Sequence, residues 1–278
     1  MKIIVTHKSV DIDCITACWL IKRHLPDWKD AEIKHVNAGS SLNDLPPDSD
    51  PDIIHVDTGF GKFDHHQSKD NTSATSLVCE FLISKNQIPE KNIKAVEKLS
   101  FMVNEFDHFK EVYFPEAASD RYDFMLHQII EGLKGPLGKD EKIIDTVFIL
   151  LDAILQILRN KVRGEEAIAK GFIFESKKYG KCIVMESQNE EAMKLAMKSG
   201  FKLAAKKDPI KGNIRIKTLP DKKYDLNPIF DQIKKYDKKA TWFMHVSGNM
   251  LLNSSSKNPN FVPSSLSVSK LIEIIRNI

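Results

Sequence analysis

Acidic and imidazole side chains of this 278-residue chain gather in a few short stretches. His7, Asp11 and Asp13 open the chain. Asp57 is followed closely by Asp64, His65 and His66, and further on Asp107 stands beside His108. Carboxylates and imidazoles without thiolates are the donors of hard and borderline divalent ions, Mn²⁺ and Mg²⁺ ahead of structural zinc. So many acids crowd a single ion. Two ions about 3.5–4 Å apart, sharing one carboxylate, would accommodate them, and such a pair serves in-line attack at phosphorus. Taken singly, each of these residues is as readily a helix cap, a turn aspartate or a surface histidine. It is the set that points to metal.

The elements that must carry them alternate. A first strand over residues 2–6 delivers His7 at its end, and a polar loop over 9–13 leads into a helix over 14–25, whose apolar residues Ile15, Cys18, Trp19 and Ile21 recur at helical spacing. Asp11 or Asp13 could cap that helix, which explains one acid but not His7. A second strand is expected over 32–37 and a third at 53–56, where Ile53, Ile54 and Val56 run straight into Asp57. Helices follow over about 73–85 and 91–106, the second ending at Asp107 and His108. Strands alternating with helices imply an α/β fold with a parallel sheet covered by helices, and in such sheets ligands gather beyond the carboxyl ends of the strands.

Further along, a helix is expected over 117–134, broken at Gly135-Pro136-Leu137-Gly138, and then a continuously helical connector over about 140–176. The turn at 178–181 sets a domain boundary, giving a metal-binding domain over 1–178 and a smaller α/β substrate-binding domain over 179–278. In the second, strands are expected at 182–185, 201–205, 213–218 and 241–246, helices at 189–199, 227–236 and 267–277, and a polar segment at 247–257.

Apolar content of 42% and charged content of 28% are ordinary for a water-soluble globular protein. No run approaches the roughly 18 apolar residues of a membrane span, and no signal-peptide pattern opens the chain. Cys14, Cys18, Cys79 and Cys182 form no CxxC pair, so they read as buried hydrophobes of a reducing cytoplasm. The net charge of +3 hides an asymmetry. Residues 181–278 hold 18 Lys and Arg against 9 Asp and Glu, or +9; residues 1–180 hold 23 against 29, or −6. A basic half suits a phosphate-bearing ligand, nucleic acid among them, although a solvated lysine-rich face would read the same way. Aromatics in that half are too scattered for a long stacking platform.

Collected in order, His7-x3-Asp11-x-Asp13, a strand leading to Asp57, the triplet Asp64-His65-His66 and then Asp107 resemble the four-motif signature of the DHH phosphoesterase superfamily, over about residues 1–110. That superfamily includes RecJ-type exonucleases, short-oligonucleotide and cyclic-dinucleotide phosphodiesterases, family II inorganic pyrophosphatases and polyphosphatases. The resemblance implies a dinuclear hydrolase that prefers Mn²⁺, with Mg²⁺ as the alternative. By position, His7 and Asp11 would hold one ion and Asp13 the other, Asp57 would bridge, and His65 and Asp107 would complete the second site. His66 would contact the substrate phosphate and Asp64 would orient a neighbouring histidine, so that His66, Asp64 and Asp57 are the implied catalytic residues. His108 and His55 fall outside the pattern; His108 reads as a further phosphate contact and His55 as pointing into a covered face of the sheet.

The resemblance also implies a substrate-binding second domain across a cleft. Here the stretch from Trp242 to Lys257 offers His245, Ser247, Gly248, Asn253 and Lys257 as phosphate contacts, the plainer alternative being a surface turn. It departs from the GGGH pattern of the oligonucleotide-cleaving branch. Arg215-Ile-Lys217 has the spelling of the pyrophosphatase Arg-x-Lys pair in a different setting. The His-x-x-Gly…Lys arrangement is loosely similar to the MYG1-like branch, for which a 3′→5′ RNA exonuclease activity is proposed, while the first motif departs from that branch's usual Thr-His-Asn-Gly-x-Phe-His-x-Asp form. The leading expectation is therefore an exonuclease-like phosphodiesterase acting on short oligonucleotides or related nucleotides. A pyrophosphatase or polyphosphatase, and a catalytically silent nucleotide-binding module, are the alternatives. No membrane partner is expected, and self-association through an edge strand stays open.

Overall fold

The structure is a computed structural model and describes residues 1–253 and 260–278. By contacts it divides into two compact units, Met1–Arg159 and Asn160–Ile278.

The first unit is built on three parallel strands in the order β2-β1-β3: β1 (Ile3–His7) in the centre, β2 (Glu32–Val36) and β3 (Ile53–His55) beside it. Ile4 and Val5 are fully buried, as a central parallel strand covered on both faces requires. Helix α1 (Ile12–His24) has every residue from Ile12 to Ile21 buried, so it is a core helix and not an amphipathic one. Packed against it are α2 (Ala74–Ser84) and α3 (Glu90–Asp107). Helix α4 (Leu126–Leu137) and the 30-residue α5 (Asp140–Ala169) follow. Leu151 and Leu155 of α5 are buried, and Asp152 accepts the Trp19 indole N–H at 3.0 Å.

Three expectations are corrected here. The helix foreseen over 117–134 begins only at Leu126, after a short 3₁₀ turn at Asp120–Tyr122, and runs on through Gly135 and Pro136. Pro136 sits in the last turn, where its missing N–H forfeits a single bond, and the real terminator is Gly138 in a left-handed conformation at φ 63. The connector stops at Ala169 and does not reach 176. Phe172–Ser176 is a strand, β4, paired antiparallel with β5 (Gly180–Glu186). The turn at 178–181, read as a boundary from sequence, is thus the hairpin between them, and the contact-based division falls within α5.

The second unit is a six-stranded mixed sheet, β4-β5-β6-β7-β9-β8, with β6 (Leu203–Lys207), β7 (Ile214–Thr218), β8 (Phe243–Met244) and β9 (Met250–Leu252). Only β5 and β6 run parallel, joined by α6 (Glu191–Lys198). One face packs its apolar residues Leu203, Ala205, Ile214 and Ile216 against α7 (Asn227–Tyr236) and α8 (Val268–Arg276). The other sets Ile183, Met185 and Ala204 against α6. Strand β9 lies in what the sequence presented as a polar segment. Among the described residues, no helix is long and apolar enough to cross a membrane.

Candidate metal centre

All the acidic and imidazole clusters of the first unit meet at the carboxyl ends of β1 and β3. His7 is the last residue of β1; its Nδ1 lies 2.9 Å from the Lys8 carbonyl. A proton on Nδ1 donated there leaves Nε2 aimed at the cluster, 3.2 Å from Asp57 Oδ2 and 3.6 Å from Asp11 Oδ2. Asp11 is the N-cap of α1, and its Oδ1 accepts from the amides of Asp13 and Cys14 at 3.0 Å each. One oxygen caps while the other faces His7, so the capping and metal-binding readings of Asp11 are compatible.

Asp13 is completely buried. Its carboxylate accepts from the amides of Ala74 at 2.7 Å and Thr75 at 2.9 Å, the first residues of α2, where unpaired N–H groups and the helix dipole favour an anion. Asp57 follows β3 in a left-handed conformation at φ 56, strain of the kind that collects at functional sites. Asp107 closes α3 at its C-terminus, the end where a carboxylate opposes the dipole. His65 Nε2 stands between the acids: 3.4 Å from Asp57 Oδ1, 3.6 Å from Asp107 Oδ2 and 3.8 Å from Asp13 Oδ2.

The donors fall into three overlapping groups, each with ligand atoms within 4.8 Å of one another: His7, Asp11, Cys14 and Asp57; Asp57, His65 and His66; and Asp13, His65 and Asp107. Asp57 links the first group to the second, and His65 links the second to the third. Asp57 Oδ1 and His65 Nε2 are buried without a well-formed hydrogen bond. Four carboxylates against two imidazoles, with those buried atoms left unspent, fit two divalent cations. Cys14 is a poor ligand, since burial, ahead of Asp11, pushes its thiol well up and its S–H donates to the Asp11 carbonyl.

The charges without metal are mutually tuned. Burial works against a charged His7, yet Asp57 and Asp11 carry it up to about 9. His65 is raised to about 9, chiefly by Asp57. Burial works against the Asp57 anion, but His65 and His7 hold it down at about 2. Burial, then Asp57 and Asp107, lifts Asp13 to about 7, while burial also raises Asp11 and Asp107.

Asp64 is buried and serves two neighbours. Its Oδ2 accepts the Phe60 amide at 2.8 Å, and its Oδ1 lies 2.7 Å from His66 Nδ1. The His66 side chain is 55% exposed, with Nδ1 3.7 Å from Asp57 Oδ1. His108 Nδ1 faces the Asn104 carbonyl at 2.9 Å and Asp107 Oδ2 at 3.4 Å, and its ring lies 6.1 Å from that of His65. A pocket of about 350 Å³ opens onto His7, Asp11, Asp57, His66 and Asp107. Its remaining wall, Ala38, Gly39 and Phe60, carries no chemical motif and went unnoticed in the sequence. His55 is buried, and its Nε2 accepts the Leu42 amide at 3.1 Å.

The phosphate contacts expected in the second unit have mixed placements. His245, Ser247 and Gly248 form the β8–β9 hairpin turn: His245 Nδ1 lies 2.9 Å from Ser247 Oγ, and the Gly248 amide donates to the His245 carbonyl. Asn253 is fully buried. Its amide donates to the carbonyls of Thr241 and Val262, and its oxygen accepts the Ser264 amide, so the side chain is spent on the fold. Lys257 lies outside the described residues.

No family model matches the sequence, and no curated protein matches it. Among the solved structures similar to the chain is one described as the DHH domain of a member of a family of ribosomal proteins. The likeness covers 99% of this chain and 86% of that one, at 12% identity and a TM-score of 0.33. A likeness that distant assigns no chemistry, which rests on the residues.

Proposed function

We propose that this protein is a dinuclear metal-dependent phosphoesterase of the DHH type, holding two Mn²⁺ ions and cleaving short oligonucleotides or related nucleotide phosphodiesters. The observation that carries the reading is the run of donor groups linked through Asp57 and His65 beside an open pocket. His7, Asp11 and Asp57 would hold one ion, and Asp13, Asp57, His65 and Asp107 the other. Such a pair supplies an activated water at neutral pH and neutralises charge on a phosphoryl group in flight.

The chain's own contribution is position and proton control. Asp64 accepts the His66 Nδ1 proton, which fixes the ring and leaves Nε2 for the substrate. From there His66 can hydrogen-bond a phosphoryl oxygen, or give a proton to the leaving oxygen as its bond to phosphorus breaks. The net charge of +9 over residues 181–278 also suits a phosphate-bearing ligand. Four free, buried cysteines suit a reducing cytoplasm.

The test is hydrolysis of a labelled RNA dinucleotide and of pyrophosphate side by side, with Mn²⁺ and with EDTA. Manganese-dependent release of mononucleotides, lost in Asp57→Asn, is the expected result. Release of phosphate from pyrophosphate alone would replace this reading with the pyrophosphatase one. Metal binding without turnover of either substrate would leave the silent binding module.

A further inference from the structure

Phe60 is the residue of the pocket that the metal centre does not explain. It lies in the wall beside His7, Asp11, Asp57, His66 and Asp107, and it is 57% exposed. Other aromatics of the first unit are also exposed, namely Phe101, Phe109, Tyr113 and Phe124, but none of them lines this pocket. A ring left in water contributes little to folding, so burial does not account for it.

The backbone makes the placement more specific. Phe60 has φ 57, in the left-handed region that a bulky side chain rarely enters. Asp57 and Gly59 are left-handed too, so the turn between β3 and the Asp64 triplet is tightly coiled. What holds Phe60 there is its amide, donated to the Asp64 carboxylate at 2.8 Å. That same carboxylate fixes His66. One buried acid therefore sets both a ring at the pocket and the histidine facing the acids. Across from the ring edge is Gly39, itself at φ 76, where a Cβ would come within 3.4 Å of the Phe60 ring. The ring lies against bare backbone, with its exposed part in the pocket.

The pocket thus has an anionic, cation-binding side and a flat apolar patch near it. A phosphate group belongs on the first, and a planar heteroaromatic ring belongs on the second. We infer that Phe60 is a stacking platform for the nucleobase of a nucleoside phosphate, and so a specificity residue that selects nucleotides over inorganic phosphate anhydrides. This rests on the phosphoesterase reading above and narrows its substrate class. Stacking of one base on one ring changes affinity on the order of tenfold.

The test reads binding without turnover, so its outcome is separate from that of the hydrolysis assay. Affinities of the Mn²⁺-loaded full chain for adenosine 5′-monophosphate and for ribose 5-phosphate are measured by calorimetry. The wild type should favour the adenine nucleotide by about tenfold. Phe60→Leu, which keeps apolar bulk but has no π-face, and Phe60→Ala should bring the ratio close to one. Phe60→Tyr should keep it. A wild-type ratio near one, or a ratio that survives in both Phe60→Leu and Phe60→Ala, overturns the inference, whichever substrate the hydrolysis assay selects.

Discussion

Metal binding to this centre should be strongly linked to protons, and the structure sets the size of the effect. Without metal, His7 and His65 are held at about 9 and Asp13 at about 7. A bound cation needs all three deprotonated. At pH 7 the two imidazoles are almost fully protonated and Asp13 is half so, which makes the release about two to three protons per loaded centre. Raising the pH from 7 to 9 removes most of that competition and should tighten each ion by about 50–100-fold, ~10³–10⁴-fold for the pair, at fixed free Mn²⁺. Both imidazoles lean on Asp57 and titrate as a pair, so the total is the quantity to compare. Calorimetry in buffers of different ionisation enthalpy counts the protons, and chelator-buffered titrations give the affinity. Release of less than about one proton, or a gain below about tenfold across that window, would show that His7 and His65 are not ligands.

Stability without metal should run the other way. Folded-state values raised from 6.5 to about 9 mean that protonated His7 and His65 stabilise the fold fully below pH 6.5 and cease to do so as pH climbs through 9. In EDTA the melting temperature should fall between pH 6.5 and 9, and Mn²⁺ should restore it; a flat profile would contradict the charge balance described. Asp57→Asn, which tolerates the left-handed backbone, should fold, yet lose the Mn²⁺ stabilisation and at least about a hundredfold in turnover, checked by melting curves and rates. Asp64→Asn should keep metal affinity while costing ~10–100-fold in kcat, since it releases His66; an unchanged kcat would remove His66 from the reaction. Native protein should show almost no thiol reactive towards a disulfide reagent, and four after denaturation, because Cys14, Cys18, Cys79 and Cys182 are all buried.

The first unit was largely legible because its chemistry and its hydrophobic pattern coincide. Apolar runs such as Ile53-Ile54 lead to the clustered acids, α2 and α3 carry helical spacing over their cores, and α1 is apolar enough to be buried all round. Legibility failed where tertiary context decides. Phe172–Ser176 follows a 30-residue helix, and a few apolar residues there fit either period until β5 is present to pair with them. Asn253 shows the limit of reading polar residues as sites, for the same amide that could grip a phosphate instead ties three backbone groups together. The pocket wall of Ala38, Gly39 and Phe60 was invisible for the converse reason. Its residue types carry no charge or ligand atom, and it exists only through loop conformations at positive φ.

That Asp11 caps α1 and Asp13 accepts the first two amides of α2 bears on how any relative of this chain is judged. Both acids would be retained by selection for folding alone, even in a descendant that had lost its chemistry. Their presence is weak testimony to activity. Asp107 is the better witness, since its carboxylate meets His65 and His108 and sits at the helix end where a negative charge is unwelcome. A lineage freed from catalysis would shed it first, and swapping it for a neutral residue should make the metal-free protein sturdier.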